Sequence, residues 1–129
     1  MKQYGWIVFV ILGVLILVFA GYNAIYIPVI DPADPDMGWA WLTTDPEVIA
    51  YIKFSFRVQG MWQLGYGLLV IVTAVGGLRQ QQRWAWWGLC SVPLVLLLMT
   101  FMMPWTVPIL IVLLAAAVAS LAIVRGEMK

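Results

Sequence analysis

The fold turns on one stretch, Trp84–Val124, which reads WAWWGLCSVPLVLLLMTFMMPWTVPILIVLLAAAVASLAIV. It runs for 41 residues without a charge. As one helix, at about 1.5 Å per residue, it would reach about 60 Å, roughly twice the hydrocarbon core of a bilayer. It therefore has to fold back. The reversal belongs at Met102-Met103-Pro104-Trp105-Thr106-Val107-Pro108, where two prolines remove backbone donors and disfavour helix ahead of them. The spacing predicts one helix over 84–102 and another over 105–124.

Two more uncharged runs lie upstream. Val58–Leu78 holds 21 residues between Arg57 and Arg79, and Gln3–Ile30 carries no charge at all. The latter predicts a helix over 5–27, ending before Pro28. Composition agrees with four spans. Hydrophobic residues make up 64% of the 129 and charged residues 10%, against soluble norms of about 45–50% and about 25%. With a mean hydropathy of +0.98, this excludes a soluble enzyme, a disordered chain and a nucleic-acid binder. The reading is all-α: a polytopic membrane protein in which residues 1–129 form a single domain, a bundle of four transmembrane helices. Helix 1 also resembles a cleaved signal peptide, with Lys2, an apolar core over Trp6–Phe19 and a small-residue site at Val18-Phe19-Ala20. The uncharged run continues past Ala20, which favours a retained span.

Orientation follows from the basic residues. Four spans put both termini on one side, which collects Lys2, Arg79, Arg83, Arg125 and Lys129 against Glu127 alone. The other side holds Asp31, Asp34, Asp36, Asp45 and Glu47 with Lys53 and Arg57. Both termini and the Arg79–Arg83 turn are therefore expected in the cytoplasm, with loop 28–44 outside. The tryptophans fit two interfacial belts: Trp6, Trp84, Trp86 and Trp87 inside, Trp39, Trp41 and Trp105 outside.

The inventory also narrows the chemistry. Histidine is absent and cysteine occurs once, at Cys90. No internal disulfide, CxxC redox pair or histidine-based nucleophile can be built. No Asp or Glu falls inside a span, where a proton-coupled carrier needs a titratable group. This favours a non-enzymatic, non-transporting role.

Thr44-Asp45-Pro46-Glu47 reads as the start of helix 2, with Thr44 capping, Pro46 in the first turn and Glu47 completing a capping box. Helix 2 is then one rod over 45–78. Before it, Pro28, Pro32 and Pro35 stand among aspartates in a turn-rich loop, with Met37–Leu42 as a short interfacial segment. Asp31, Asp34 and Asp36 lack the spacing of a calcium loop and read as solvated acids.

At 100° per residue, Ser55, Gln59, Trp62, Gln63, Tyr66, Thr73 and Gly77 share one sector of helix 2. An unpartnered amide in lipid costs several kcal/mol, at the order of magnitude of polar-group transfer. Two readings stay open. In one, Gln59, Gln63 and Tyr66 bond to Asn23 or Tyr26 of helix 1 and to Ser91 or Thr100 of helix 3. In the other, Arg57, Gln59, Trp62, Gln63 and Tyr66 line an outward-opening pocket for a lipid or small amphiphile, with Arg57 on its anionic head group. Met99, Met102 and Met103 form a third candidate site, since thioethers are soft ligands for Cu(I). As plain apolar filler they need no metal, and no other cofactor is implied.

Small residues mark helix contacts: Gly13, Ala20, Gly21 and Ala24 in helix 1, and the pairs Ala115/Ala119 and Ala116/Ser120 in helix 4. Pro93 should bend helix 3 and free the Leu89 carbonyl. Arg57, Gly60, Gly65 and Gly67 at the start of helix 2, then Arg79 to Arg83-Trp84-Ala85-Trp86-Trp87, resemble a pattern in small bacterial four-helix membrane proteins of a DoxX-like kind. The resemblance spans about a third of the chain. It implies a bacterial inner-membrane four-helix protein and supplies no activity and no catalytic residue. The functional expectation is an accessory or structural subunit whose apolar helices dock on other membrane subunits or on a second copy. The alternative is the amphiphile-binding pocket beside helix 2.

Overall fold

A computed structural model describes residues 4–31, 33–34, 42–102 and 107–125. Helix takes up 88% of these, and none is in a strand. Five α-helices follow in order: α1 (Gly5–Gly21), α2 (Pro46–Thr73), α3 (Arg83–Leu89), α4 (Ser91–Met102) and α5 (Val107–Arg125). They build four rods long and apolar enough to cross a membrane: Gly5–Val29, Pro46–Leu78, Arg83–Thr100 and Val107–Arg125.

The irregular turns at the rod ends have local causes. After α1, Tyr22–Tyr26 winds as one wide π turn, closed by the Ile27 amide on the Tyr22 carbonyl. A 3₁₀ turn, Ile27–Val29, then takes Pro28 into its first residues, where a missing N–H leaves nothing unpaired. The first rod thus continues two residues beyond the predicted stop at 27. A second π turn, Ala74–Leu78, ends the α2 rod, with the Arg79 amide on the Ala74 carbonyl at 2.9 Å. The predicted helix over 84–102 is two helices that part at Cys90, whose amide is shared between the Trp86 and Trp87 carbonyls. Pro93 sits in the first turn of α4, so no helix could carry the bond back to Leu89.

The chain forms two compact units. The first comprises Met1–Val14 and Gly67–Lys129. Its core gathers Phe9, Leu12, Val70, Ala74, Leu78, Ala85, Leu89, Val92, Ala117, Leu121 and Val124. α4 and α5 pack side by side, and α3 lies on the π turn that ends the second rod. There a Cβ on Gly77 would collide with the Ala85 Cβ and the Trp84 ring, so only glycine admits α3 at this distance. Ser120 faces inward and Ala115 and Ala119 outward. The turn at Arg79–Gln82 contains Gln81 at φ 59°, in the left-handed region. The second unit, Leu15–Tyr66, holds the rest of the first rod and the start of α2.

Several sequence expectations fall outside the described residues: Met103 to Thr106 at the reversal, the segment Met37–Trp41, Asp36, and the terminal Lys2, Glu127 and Lys129.

Candidate functional site

The start of α2 is built by its own loop. The Asp45 carboxylate accepts the Glu47 amide at 2.9 Å, and the Thr43 hydroxyl accepts the Asp45 amide at 3.2 Å. The cap is therefore Asp45, not Thr44. With Pro46 as the first helical residue, the aspartate one place before it is set to reach the next free N–H.

Four turns on, the polar stripe divides. The Asn23 side-chain amide donates to the Gln63 Oε1 at 2.8 Å, in a half-buried position. The wide turn at Tyr22–Tyr26 carries Asn23 to this point, and Tyr22 and Tyr26 stack beside it with ring centres 5.1 Å apart. One turn before Gln63, Gly60 lies directly on the backbone of the first rod. A Cβ there would come to 2.6 Å from the Ala24 nitrogen and 2.7 Å from the Ala20 carbonyl oxygen. That approach is what brings two short amides within hydrogen-bonding reach.

At the other end of the stripe Thr73 and Gly77 are buried, whereas its first residues face away. Ser55 and Gln59 are exposed, and Trp62 is 77% exposed. Tyr66 is half-buried. Arg57 is exposed and sits about 160° around the helix from Gln59. Among the described residues neither Arg57 nor Lys53 makes an ion pair, and Gln59 makes no hydrogen bond. Of the five candidate pocket residues, the structure thus turns Gln63 toward the first rod and leaves Arg57, Gln59 and Trp62 outward. Of the other suggested partners, the Thr100 hydroxyl donates to the Leu96 carbonyl and the Ser91 hydroxyl to the Gly88 carbonyl, each within its own rod.

An open cleft of about 260 Å³ does exist in this unit, lined by Tyr26, Val29, Ile30 and Asp34. Sequence reasoning named Tyr26 as a hydrogen-bond partner and Asp34 as a solvated acid, but did not bring these four residues together. The signal was the Tyr22/Tyr26 spacing, since residues four apart are neighbours on a helix. Of the methionine candidates, Met99 is half-buried, while the Met102 side chain and Met103 lie outside the described residues. Among the described residues no three His, Cys, Asp or Glu side chains come together to hold a metal.

No family model, curated protein or solved structure matches this chain.

On one sector of α2 the Gln59 amide and the exposed Trp62 indole lie beside Gln63, which accepts the Asn23 hydrogen bond.

Proposed function

We propose that the protein is a non-enzymatic component of a bacterial inner membrane, an accessory or structural subunit that docks through the N-terminal half of α2 onto another subunit or a second copy. The observation that carries this reading is the split of the stripe: Gln63 is tied to Asn23, whereas Gln59 and Trp62 are exposed. Arg79 marks one interface at the end of the second rod. Gln59 lies 20 residues earlier, about 30 Å away and so at the far edge of the hydrocarbon layer. Trp62 then falls just inside. An amide at that edge can bond to a polar group of a partner helix, and an exposed tryptophan beside it is the kind of large side chain that anchors protein–protein contacts. In this reading both termini are cytoplasmic, and Gly60 and the Trp84-Ala85-Trp86-Trp87 start of α3 are the elements shared with DoxX-like proteins.

The test is native mass spectrometry of the full chain from mild detergent, beside a Gln59→Leu/Trp62→Leu variant. The wild type should fly as an assembly of two or more polypeptides and the variant as a single chain. A wild type that flies alone, with the variant indistinguishable from it, ends this reading.

A further inference from the structure

All four rods bring an end to one region of the first unit. The first rod begins there with Gly5 and Trp6, the second ends before Arg79, the third starts at Arg83, and the fourth ends at Arg125. Arg79, Arg83 and Arg125 are all exposed. Within this unit the sequence holds one acidic side chain, Glu127, against these three cations.

Two of them are nevertheless held in place. The Arg79 guanidinium carbon stands 5.3 Å from the Trp6 ring centre, and that of Arg125 stands 5.3 Å from the Trp86 ring centre. Trp86 is itself fixed. Its indole N–H donates to the Leu121 carbonyl at 2.9 Å, and Trp87 meets it edge-on at 4.9 Å. An arginine lying over an indole keeps its in-plane N–H donors, five per guanidinium, free for an acceptor. Two exposed indoles complete the rim, Trp84 and, at 71% exposure, Trp87. Indoles of this kind settle at the headgroup level of a bilayer.

We infer that this end of the first unit binds the phosphates of anionic phospholipids, with Arg79 and Arg125 oriented by Trp6 and Trp86 and with Arg83 adding charge. The inference rests on the membrane placement proposed above. The choice of lipid over an acidic protein follows from position. Cations at the ends of four apolar rods stand where lipid phosphates already lie, and guanidinium matches phosphate with paired N–H donors.

Native mass spectrometry of delipidated full-length protein, titrated with phosphatidylglycerol and with phosphatidylcholine, tests it. The wild type should prefer phosphatidylglycerol by about tenfold or more, given about fivefold per basic residue at the surface. Arg79→Gln and Arg125→Gln should each lower that affinity by about fivefold. Arg125→Lys, which keeps the charge, should lose less. Lys53→Gln removes the same charge from the other unit and should leave the affinity within about twofold. Equal uptake of the two lipids by the wild type overturns the proposal. So do equal losses in Arg125→Gln and Lys53→Gln, or full displacement of the lipid by millimolar inorganic phosphate, which would mark a site for the free anion. Flotation with phosphatidylcholine vesicles separates the two claims. A chain that does not float sinks the membrane placement, and one that floats without lipid preference sinks only the lipid site. The arginine-to-lysine variant and an unchanged near-ultraviolet circular dichroism spectrum keep a folding defect from passing for lost binding.

Discussion

Gly60→Ala should destabilise the protein by about 2 kcal/mol, and the figure follows from three terms. The added methyl would sit 2.5 Å from the Ala24 Cβ, 2.6 Å from the Ala24 nitrogen and 2.7 Å from the Ala20 oxygen. Each is about 1 Å short of comfortable contact. Two of the three are backbone atoms, so no side chain can swing aside and the helices must part. Overpacking of this kind costs about 1–3 kcal/mol, and rigid neighbours put it in the upper part of that range. Parting the helices also stretches the Asn23–Gln63 hydrogen bond, worth about 0.6 kcal/mol on average and up to about 1.7 in membrane proteins. Against this, alanine is the better helix former by about 0.5–1 kcal/mol. Gly65 provides the matched control, because nothing lies within 4 Å of its missing Cβ. Gly65→Ala should therefore be neutral or stabilising by up to about 1 kcal/mol. The measurement is reversible unfolding in mixed micelles as the fraction of denaturing detergent rises, followed by tryptophan fluorescence. If the two variants shift together, or if Gly60→Ala unfolds with the wild type, the close approach of α2 to the first rod is wrong.

A double-mutant cycle on Asn23→Ala and Gln63→Ala should return a coupling of about 0.6–1.7 kcal/mol in the same assay; additive effects would mean that the amide pair does not form. Trp86→Phe keeps most of the ring volume but removes the donor to the Leu121 carbonyl and weakens the surface under Arg125. It should lower stability by about 1–2 kcal/mol, and an unchanged thermal midpoint would show that neither contact contributes.

The rod count was readable from the sequence because one rule dominates. Charge is expensive at bilayer depth, so the uncharged runs Gln3–Ile30, Val58–Leu78 and Trp84–Val124 show where spans lie without any knowledge of packing. Proline chemistry located breaks in the same way. Pro93 predicted a bend within one helix over 84–102, where the structure parts it into two helices at Cys90, and Pro46 announced the start of α2, although the cap fell to Asp45 and not to Thr44. Gln63 was legible as a residue in need of a partner, for the reason that an amide cannot be left unpaired among apolar groups.

Which face of each rod turns inward was decided only by the tertiary structure. In a soluble helix the alternation of polar and apolar residues reveals the buried side. Gly5–Gly21 is apolar nearly all round, so Phe9 and Leu12 are buried while Ile11 and Val18 are exposed with no sequence pattern to separate them. There the choice belongs to steric fit between rods. Fit put Gly60 against the Ala20 and Ala24 backbone while leaving Gly65 open. It also gave Asn23, out of several polar side chains near enough in principle, to Gln63. Close packing is a property of two surfaces at once, and one chain segment read by itself carries only its own.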